Sequence, residues 1–196
     1  HKYNSLMSAI VDQSRRINAK SCLYGAQLHE IAEFDLWRFL ANETRFESLI
    51  GISAGIHGNE ISGPLALKYG LEEIVGYAAG RKIGLVVYPC LNPSGFALHT
   101  RYNADNEHPN NDCLRYRTKE GVWIDDAGLN KQNMTRWCWS DDPEVKECPA
   151  RETRLLVKDL HDLHDRGILN RVKAWIDLHQ DPDIKVPGSY AYVFGD

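Results

Sequence analysis

No stretch of the chain approaches the roughly 18 consecutive apolar residues that a membrane-spanning helix needs. Apolar runs are broken within a few residues throughout. There is no block of Lys or Arg either. With 23 Lys+Arg against 27 Asp+Glu the formal net charge is −4, which argues against nucleic acid or an anionic membrane surface as the main partner. The five cysteines (Cys22, Cys90, Cys113, Cys138, Cys148) contain no C-x-x-C pair, so a zinc site built on paired thiols is excluded. An odd count in 196 residues makes a poor disulfide scaffold. Reduced cysteines and a cytoplasmic location are expected, with a Cys138–Cys148 bridge as the alternative. No signal-like leader follows His1, and no repeat, low-complexity tract or Pro/Gly/Ser linker divides the sequence. Residues 1–196 are therefore read as one domain. The abrupt stop at Asp196, just after a strand-like run, leads us to expect that this domain is incomplete at its C-terminus.

What is present is ordinary globular composition, 43% hydrophobic and 26% charged, enough for a sizeable core. Leu6–Ile17 has apolar residues at helical spacing. Cys22–Phe39 alternates loosely and reads as an edge hairpin, or as a strand followed by a turn. Ser48–Ile56 is a short apolar run ending in a glycine-rich turn and predicts a buried strand. Glu60–Gly76 predicts a helix, Lys82–Leu91 a second buried strand and Arg151–Leu163 another helix. Arg171–His179 predicts a third strand and Ser189–Phe194 a fourth. Asn92–Cys148 is long, polar and rich in turn signals, which marks functional loops. Alternating strands and helices predict an α/β fold with a mixed, largely parallel central sheet flanked by helices. Ligands of such sheets bind beyond the carboxyl ends of the strands.

The polar chemistry lies at those ends. In Gly55-Ile56-His57-Gly58-Asn59-Glu60, an imidazole at a strand end precedes a carboxylate expected in the first turn of the next helix. Gly55 and Gly58 permit a tight bend there. Imidazole with carboxylate suits a borderline divalent metal, zinc first. Asp177-Leu178-His179 ends another predicted strand and offers a third ligand, leaving a coordination position open as in catalytic zinc sites. Asp177 is a candidate to orient His179, although alternation along a strand counts against it. His161 and His164 read as a solvated helix face. Trp137-Cys138-Trp139 reads as a core or loop anchor. Asp181 and Asp183 read as a capped turn.

GIHGNE, then Asn92-Pro93-Ser94-Gly95-Phe96, then a strand ending in DLH resembles the zinc carboxypeptidase superfamily. This includes carboxypeptidase A-like peptidases and the succinylglutamate desuccinylase/aspartoacylase branch. The resemblance runs from about Ser48 to His179. It implies a zinc ion held by His57, Glu60 and His179, and Arg101 as the catalytic arginine that polarises the scissile carbonyl. The superfamily's Asn-Arg pair for the substrate carboxylate is not intact. Ungapped counting puts it at Asn110-Asn111, a gapped alternative at Asn130-Lys131.

By the same resemblance, the implied function is zinc-dependent amide hydrolysis, first as a metallocarboxypeptidase on peptides. The alternatives are an N-acyl amino-acid amidohydrolase of the desuccinylase/aspartoacylase type and a catalytically inactive metal-binding domain. The separation of His57 from His179 favours the peptidase branch. The superfamily's general base is a Glu well downstream of the third ligand. No Glu follows His179 in this chain, so the base is expected beyond Asp196.

Overall fold

The computed structural model describes residues 2–29, 32–110, 116–118, 123–124, 134–137 and 150–180. Helix α1 (Lys2–Arg16) buries Tyr3, Leu6, Met7, Ile10, Gln13 and Ser14, an apolar stripe at i, i+3, i+4 and i+7 closed by two polar residues. Arg15 and Arg16 occupy its last turn, where cations complement the helix dipole. Strands β1 (Lys20–His29) and β2 (Ala32–Ala41) form an antiparallel hairpin with a register shift at Leu23/Gly25. Next come β3 (Ser48–Ala54), α2 (Ser62–Gly80) and β4 (Ile83–Tyr88). Strand β8 (Val172–Leu178) follows helix α4 (Arg151–Asp165) and a short 3₁₀ turn at Leu169–Arg171.

The main sheet has the order β1-β2-β4-β3-β8. The three strands β4, β3 and β8 are parallel, and the hairpin joins β4 antiparallel through β2. The sheet is mixed, as expected. Strand alternation divides the core in two. Ile52, Ala54, Leu85 and Val87 pack with Leu6, Ile10, Leu67 and Leu71 on the face covered by α1 and α2. Leu49, Val86 and Tyr88 pack with Leu163 and Ile168 on the α4 side. Each large apolar side chain buried this way contributes about 1.5–3 kcal/mol.

On the α4 face lies a buried ion pair. Arg38, 1% exposed, donates from Nη1 to Asp159 Oδ1 at 2.7 Å, and Tyr88 donates to the other carboxylate oxygen. Burial pushes the Asp159 carboxyl above its usual range, against the pull of Tyr88 and Arg38.

In β3 and α2 the element boundaries differ from expectation. The strand stops at Ala54 rather than Ile56, because Gly55 turns the backbone to φ +67°. Helix α2 starts at Ser62, so Glu60 stands in the turn before it. There the Glu60 N–H bonds the His57 carbonyl at 3.1 Å. The helix also runs past Gly76, where a side chain would meet nothing within 4 Å.

The polar segment after β4 holds elements that periodicity did not reveal. They are α3 (Pro93–Leu98) and a small antiparallel sheet of β5 (Tyr116–Thr118), β6 (Trp123–Ile124) and β7 (Met134–Trp137), in the order β6-β5-β7. All are too short to show a hydrophobic period. His161 and His164 are exposed on α4, as the sequence implies. The strand expected at 189–194, Asp181 and Asp183, and the Cys138–Cys148 pairing lie outside the described residues. So do Cys138 and Trp139 of the aromatic cluster, whose Trp137 ends β7. No helix among the described residues is long and apolar enough to cross a membrane.

Candidate metal centre

β3 and β8 lie side by side and parallel, so their carboxyl ends open at the same rim. Beyond β3, Gly55 adopts the left-handed turn and delivers His57 and Glu60. Beyond β8, the chain delivers His179. One donor atom from each of His57, Glu60 and His179 lies within 4.8 Å of the other two.

Glu60, 8% exposed, is the hub. Its Oε1 lies 2.8 Å from His57 Nδ1 and 3.2 Å from Arg101 Nη1. Its Oε2 lies 2.8 Å from His179 Nδ1 and accepts the Gln180 backbone N–H at 3.1 Å. Gln180 is pinned in turn, since its Oε1 accepts from the Ser62 hydroxyl at 2.7 Å and the Ser62 N–H at 3.3 Å. Burial raises the Glu60 pKa, but the Gln180 N–H and the two imidazoles outweigh it and hold the carboxylate below its ordinary value. His57 is held below its ordinary value by burial, which outweighs the pull of Glu60. His179 is pushed up to about 9, chiefly by its hydrogen bond to Asp177.

Two imidazoles and a carboxylate form a donor set suited to a borderline divalent ion. Ligands of one zinc stand about 3–4 Å apart, given bonds of about 2.0–2.2 Å, so small side-chain rotations would gather these donors. The residues fit a metal, and the three-donor set leaves a coordination position open.

The N-P-x-G-F segment builds the wall of this centre. Asn92 is completely buried. Its Oδ1 accepts the Gly95 N–H at 3.0 Å, capping α3, while its Nδ2 donates to the Ile56 carbonyl at 3.3 Å. Pro93 occupies the first turn, where its missing N–H costs nothing. Gly95 abuts Gly58 directly, and Phe96 anchors the helix in the core. These residues hold the His57–Glu60 turn in place.

Arg101 reaches Glu60 and is half-exposed. Asn110 Nδ2 lies 3.3 Å from His57 Nε2. An amide can meet that nitrogen with either end, donating to it when bare or accepting when it carries a proton. Asn111 and the alternative pair Asn130-Lys131 lie outside the described residues. Asp177 does reach His179, with Oδ2 2.8 Å from Nε2. Alternation favours this contact rather than opposing it, because residues two apart on a strand share a face. Sequence reasoning missed Ser53, Trp175 and Gln180, all of which bond within this constellation. The signal for Trp175 was the same two-residue step, read back from Asp177.

The family profile described as the succinylglutamate desuccinylase/aspartoacylase catalytic domain matches residues 48–184, a span that contains every donor above. The chain belongs to the succinylglutamate desuccinylase/aspartoacylase catalytic-domain family. A search of curated proteins finds no match. Among solved structures, this family member is similar to a protein from Shewanella amazonensis SB2B taken to be a metallopeptidase. They share 22% identity at TM-score 0.58, over 90% of this chain and 55% of that one. It is also similar to bovine thrombin-activatable fibrinolysis inhibitor, solved with tick carboxypeptidase inhibitor. Here identity is 16% and the TM-score 0.57, over 92% of this chain and 60% of that one. A metallo-carboxypeptidase from Pseudomonas aeruginosa, solved with (2-guanidinoethylmercapto)succinic acid, matches at 16% identity and TM-score 0.56. The overlap is 91% of this chain and 40% of that one. These likenesses establish the carboxypeptidase-like α/β fold. The chain spans less than two thirds of each of these structures.

Proposed function

We propose that this member of the family is a zinc-dependent amide hydrolase and acts as a metallocarboxypeptidase. The observation that carries the reading is the meeting of His57, Glu60 and His179 at the carboxyl ends of two adjacent parallel strands, with the Arg101 guanidinium against the same carboxylate. In this reading those three residues hold the ion. Zinc, when bound, supplies a Lewis acid for a carbonyl oxygen and lowers the pKa of a water molecule.

The protein's own groups do the rest. Arg101 spends one N–H on Glu60, and its half-exposed position leaves the guanidinium able to meet a substrate carbonyl oxygen and stabilise its developing negative charge. Asn110, beside His57, with Asn111, is proposed to receive the substrate carboxylate. Neutral amides there replace a bidentate arginine fork, which implies a weaker clamp. A general base must take a proton from water and return it to the leaving nitrogen. Glu60 is engaged by two imidazoles, and Asp177 faces His179 and Ser53. Neither is proposed as the base. A glutamate further along the polypeptide, as in the resembled superfamily, fills that role in this reading.

The spacing of the first and third ligands supports peptides as substrates. The family match supports a second reading, cleavage of N-acyl amino acids. The choice is made by assaying zinc-loaded protein on peptides with free C-termini and on N-succinyl and N-acetyl amino acids. Release of C-terminal residues alone supports the peptidase; release of acyl groups alone supports the second reading. Turnover of neither by full-length protein that carries stoichiometric zinc and the downstream glutamate overturns both in favour of an inactive metal-binding domain. The cytoplasm is proposed as the location, on the free Cys22 and Cys90.

A further inference from the structure

We propose that Ser53 and Trp175 are positioning residues for the metal centre: a one-way hydrogen-bond chain from the Trp175 indole through Ser53 and Asp177 fixes the His179 imidazole with Nδ1 turned to the metal. The inference rests on the reading that His57, Glu60 and His179 hold zinc.

The chain is built by register. Across the parallel pair β3/β8, Gly51 stands opposite Trp175 and Ser53 opposite Asp177. All four, with His179, follow the two-residue step of one sheet face. Trp175 Nε1 donates to Ser53 Oγ at 2.9 Å. Ser53 Oγ donates to Asp177 Oδ1 at 2.6 Å. Asp177 Oδ2 lies 2.8 Å from His179 Nε2, and His179 Nδ1 faces Glu60 Oε2 at 2.8 Å.

The direction of this chain is forced. An indole N–H can only donate, so it takes a lone pair of the Ser53 oxygen. The single Ser53 hydrogen is left for Asp177. A carboxylate with both oxygens accepting requires a hydrogen on His179 Nε2. Nδ1, 2.8 Å from Glu60 Oε2, is then the nitrogen left to bind a metal, giving up the proton it shares with that carboxylate when it does. Carboxylate partners behind a ligating imidazole fix its tautomer and ring orientation. Here the carboxylate itself is fixed by two further residues.

The indole is also seated deliberately. A Cβ on Gly51 would lie 2.1 Å from Trp175 Cε3, so only glycine lets the ring lie flat across β3. There it meets Tyr88 at 5.9 Å between centroids and an interplanar angle of 30°. Trp175 is nonetheless 39% exposed. Ser53 is buried, 3% exposed, and its hydroxyl is the link between indole and carboxylate.

The test measures zinc affinity of the purified protein by competition with a chromophoric chelator, and the visible spectrum of the cobalt-substituted protein. Trp175→Phe keeps a ring and deletes the donor. Ser53→Ala deletes the relay. Each is expected to weaken zinc binding about 10–100-fold and to alter the cobalt spectrum, at unchanged circular dichroism and unchanged melting temperature of the metal-free protein. Ser53→Thr, which keeps the hydroxyl, is expected to restore affinity to within a few-fold of wild type. Wild-type affinity in both Trp175→Phe and Ser53→Ala overturns the inference and leaves the metal reading standing. Equal loss in Ser53→Thr and Ser53→Ala overturns the role given to the hydroxyl. Absence of zinc binding by the wild-type protein overturns the metal reading and the inference together.

Discussion

A methyl group on Gly58 would lie 2.0 Å from the carbonyl carbon of Gly95. The turn that carries two candidate ligands is thus packed backbone to backbone on α3, with no room for any side chain. Gly58→Ala is expected to cost about 1–3 kcal/mol or more through overpacking and to reduce metal content with it. Thermal melting and metal analysis read both. Gly76→Ala is the control: the added carbon meets nothing within 4 Å, and replacing a mid-helix glycine stabilises by about 0.5–1 kcal/mol.

Removing either imidazole separates metal binding from folding. His57→Ala and His179→Ala are each expected to abolish stoichiometric zinc, measured by elemental analysis, while circular dichroism stays that of the parent. Full metal content in both variants would disprove the site.

Arg101→Ala is expected to behave differently. Arg101 touches Glu60 from a half-exposed position and is no ligand in this reading. The variant should keep its zinc and lose about 10²–10³-fold in kcat, the usual cost of one preorganised oxyanion partner. Steady-state kinetics on the zinc-loaded variant decide it.

The Arg38–Asp159 pair is a stability element away from the centre. Asp159→Ala would strand a guanidinium that is 1% exposed and deprive Tyr88 of its acceptor. Breaking such a pair from one side costs about 3–5 kcal/mol, measurable by urea denaturation. Metal content of the folded fraction should not change.

Glu152 predicts a pH dependence. It is 2% exposed, and burial pushes its carboxyl from 4.5 up to about 8, with Glu107 and Asp105 adding to the rise. A pKa raised in the folded state means that folding takes up a proton. The neutral carboxyl's contribution is complete below about pH 4.5 and is lost as pH rises through about 8. Relative to Glu152→Gln, the wild-type melting temperature should therefore fall between about pH 5 and about pH 9. The slope is at most about 1.4 kcal/mol per pH unit, or about 2–4 °C per kcal/mol for a chain of this size. A pH-independent difference between the two proteins would refute it.

The strands and long helices were legible because their apolar residues repeat with a period that burial imposes. Ile50, Ile52 and Ala54 point one way and Leu49 the other. His57 and Glu60 were legible because a strand end, two glycines and two donor types coincide within six residues. The short elements after β4 were not, since a six-residue helix held by the Asn92 cap and by glycine contact has no hydrophobic repeat to read. Ser53 was invisible for another reason. A serine in a buried strand has no chemistry of its own until register sets it opposite Asp177, and register is a property of the folded pair. The Asp177–His179 contact was within reach of the sequence; the two-residue step pointed to it.

Two of the candidate ligands come from one turn and the third from just beyond a strand far along the chain, which among the described residues forms an edge of the main sheet. Sliding that strand by one residue would turn Trp175, Asp177 and His179 together to the opposite side. An ion that requires His57, Glu60 and His179 together rewards only the native alignment, because binding to one conformation alone draws the population toward it. Metal capture would then be a checkpoint on strand alignment, reached only after the slow, long-range pairing of the chain is complete.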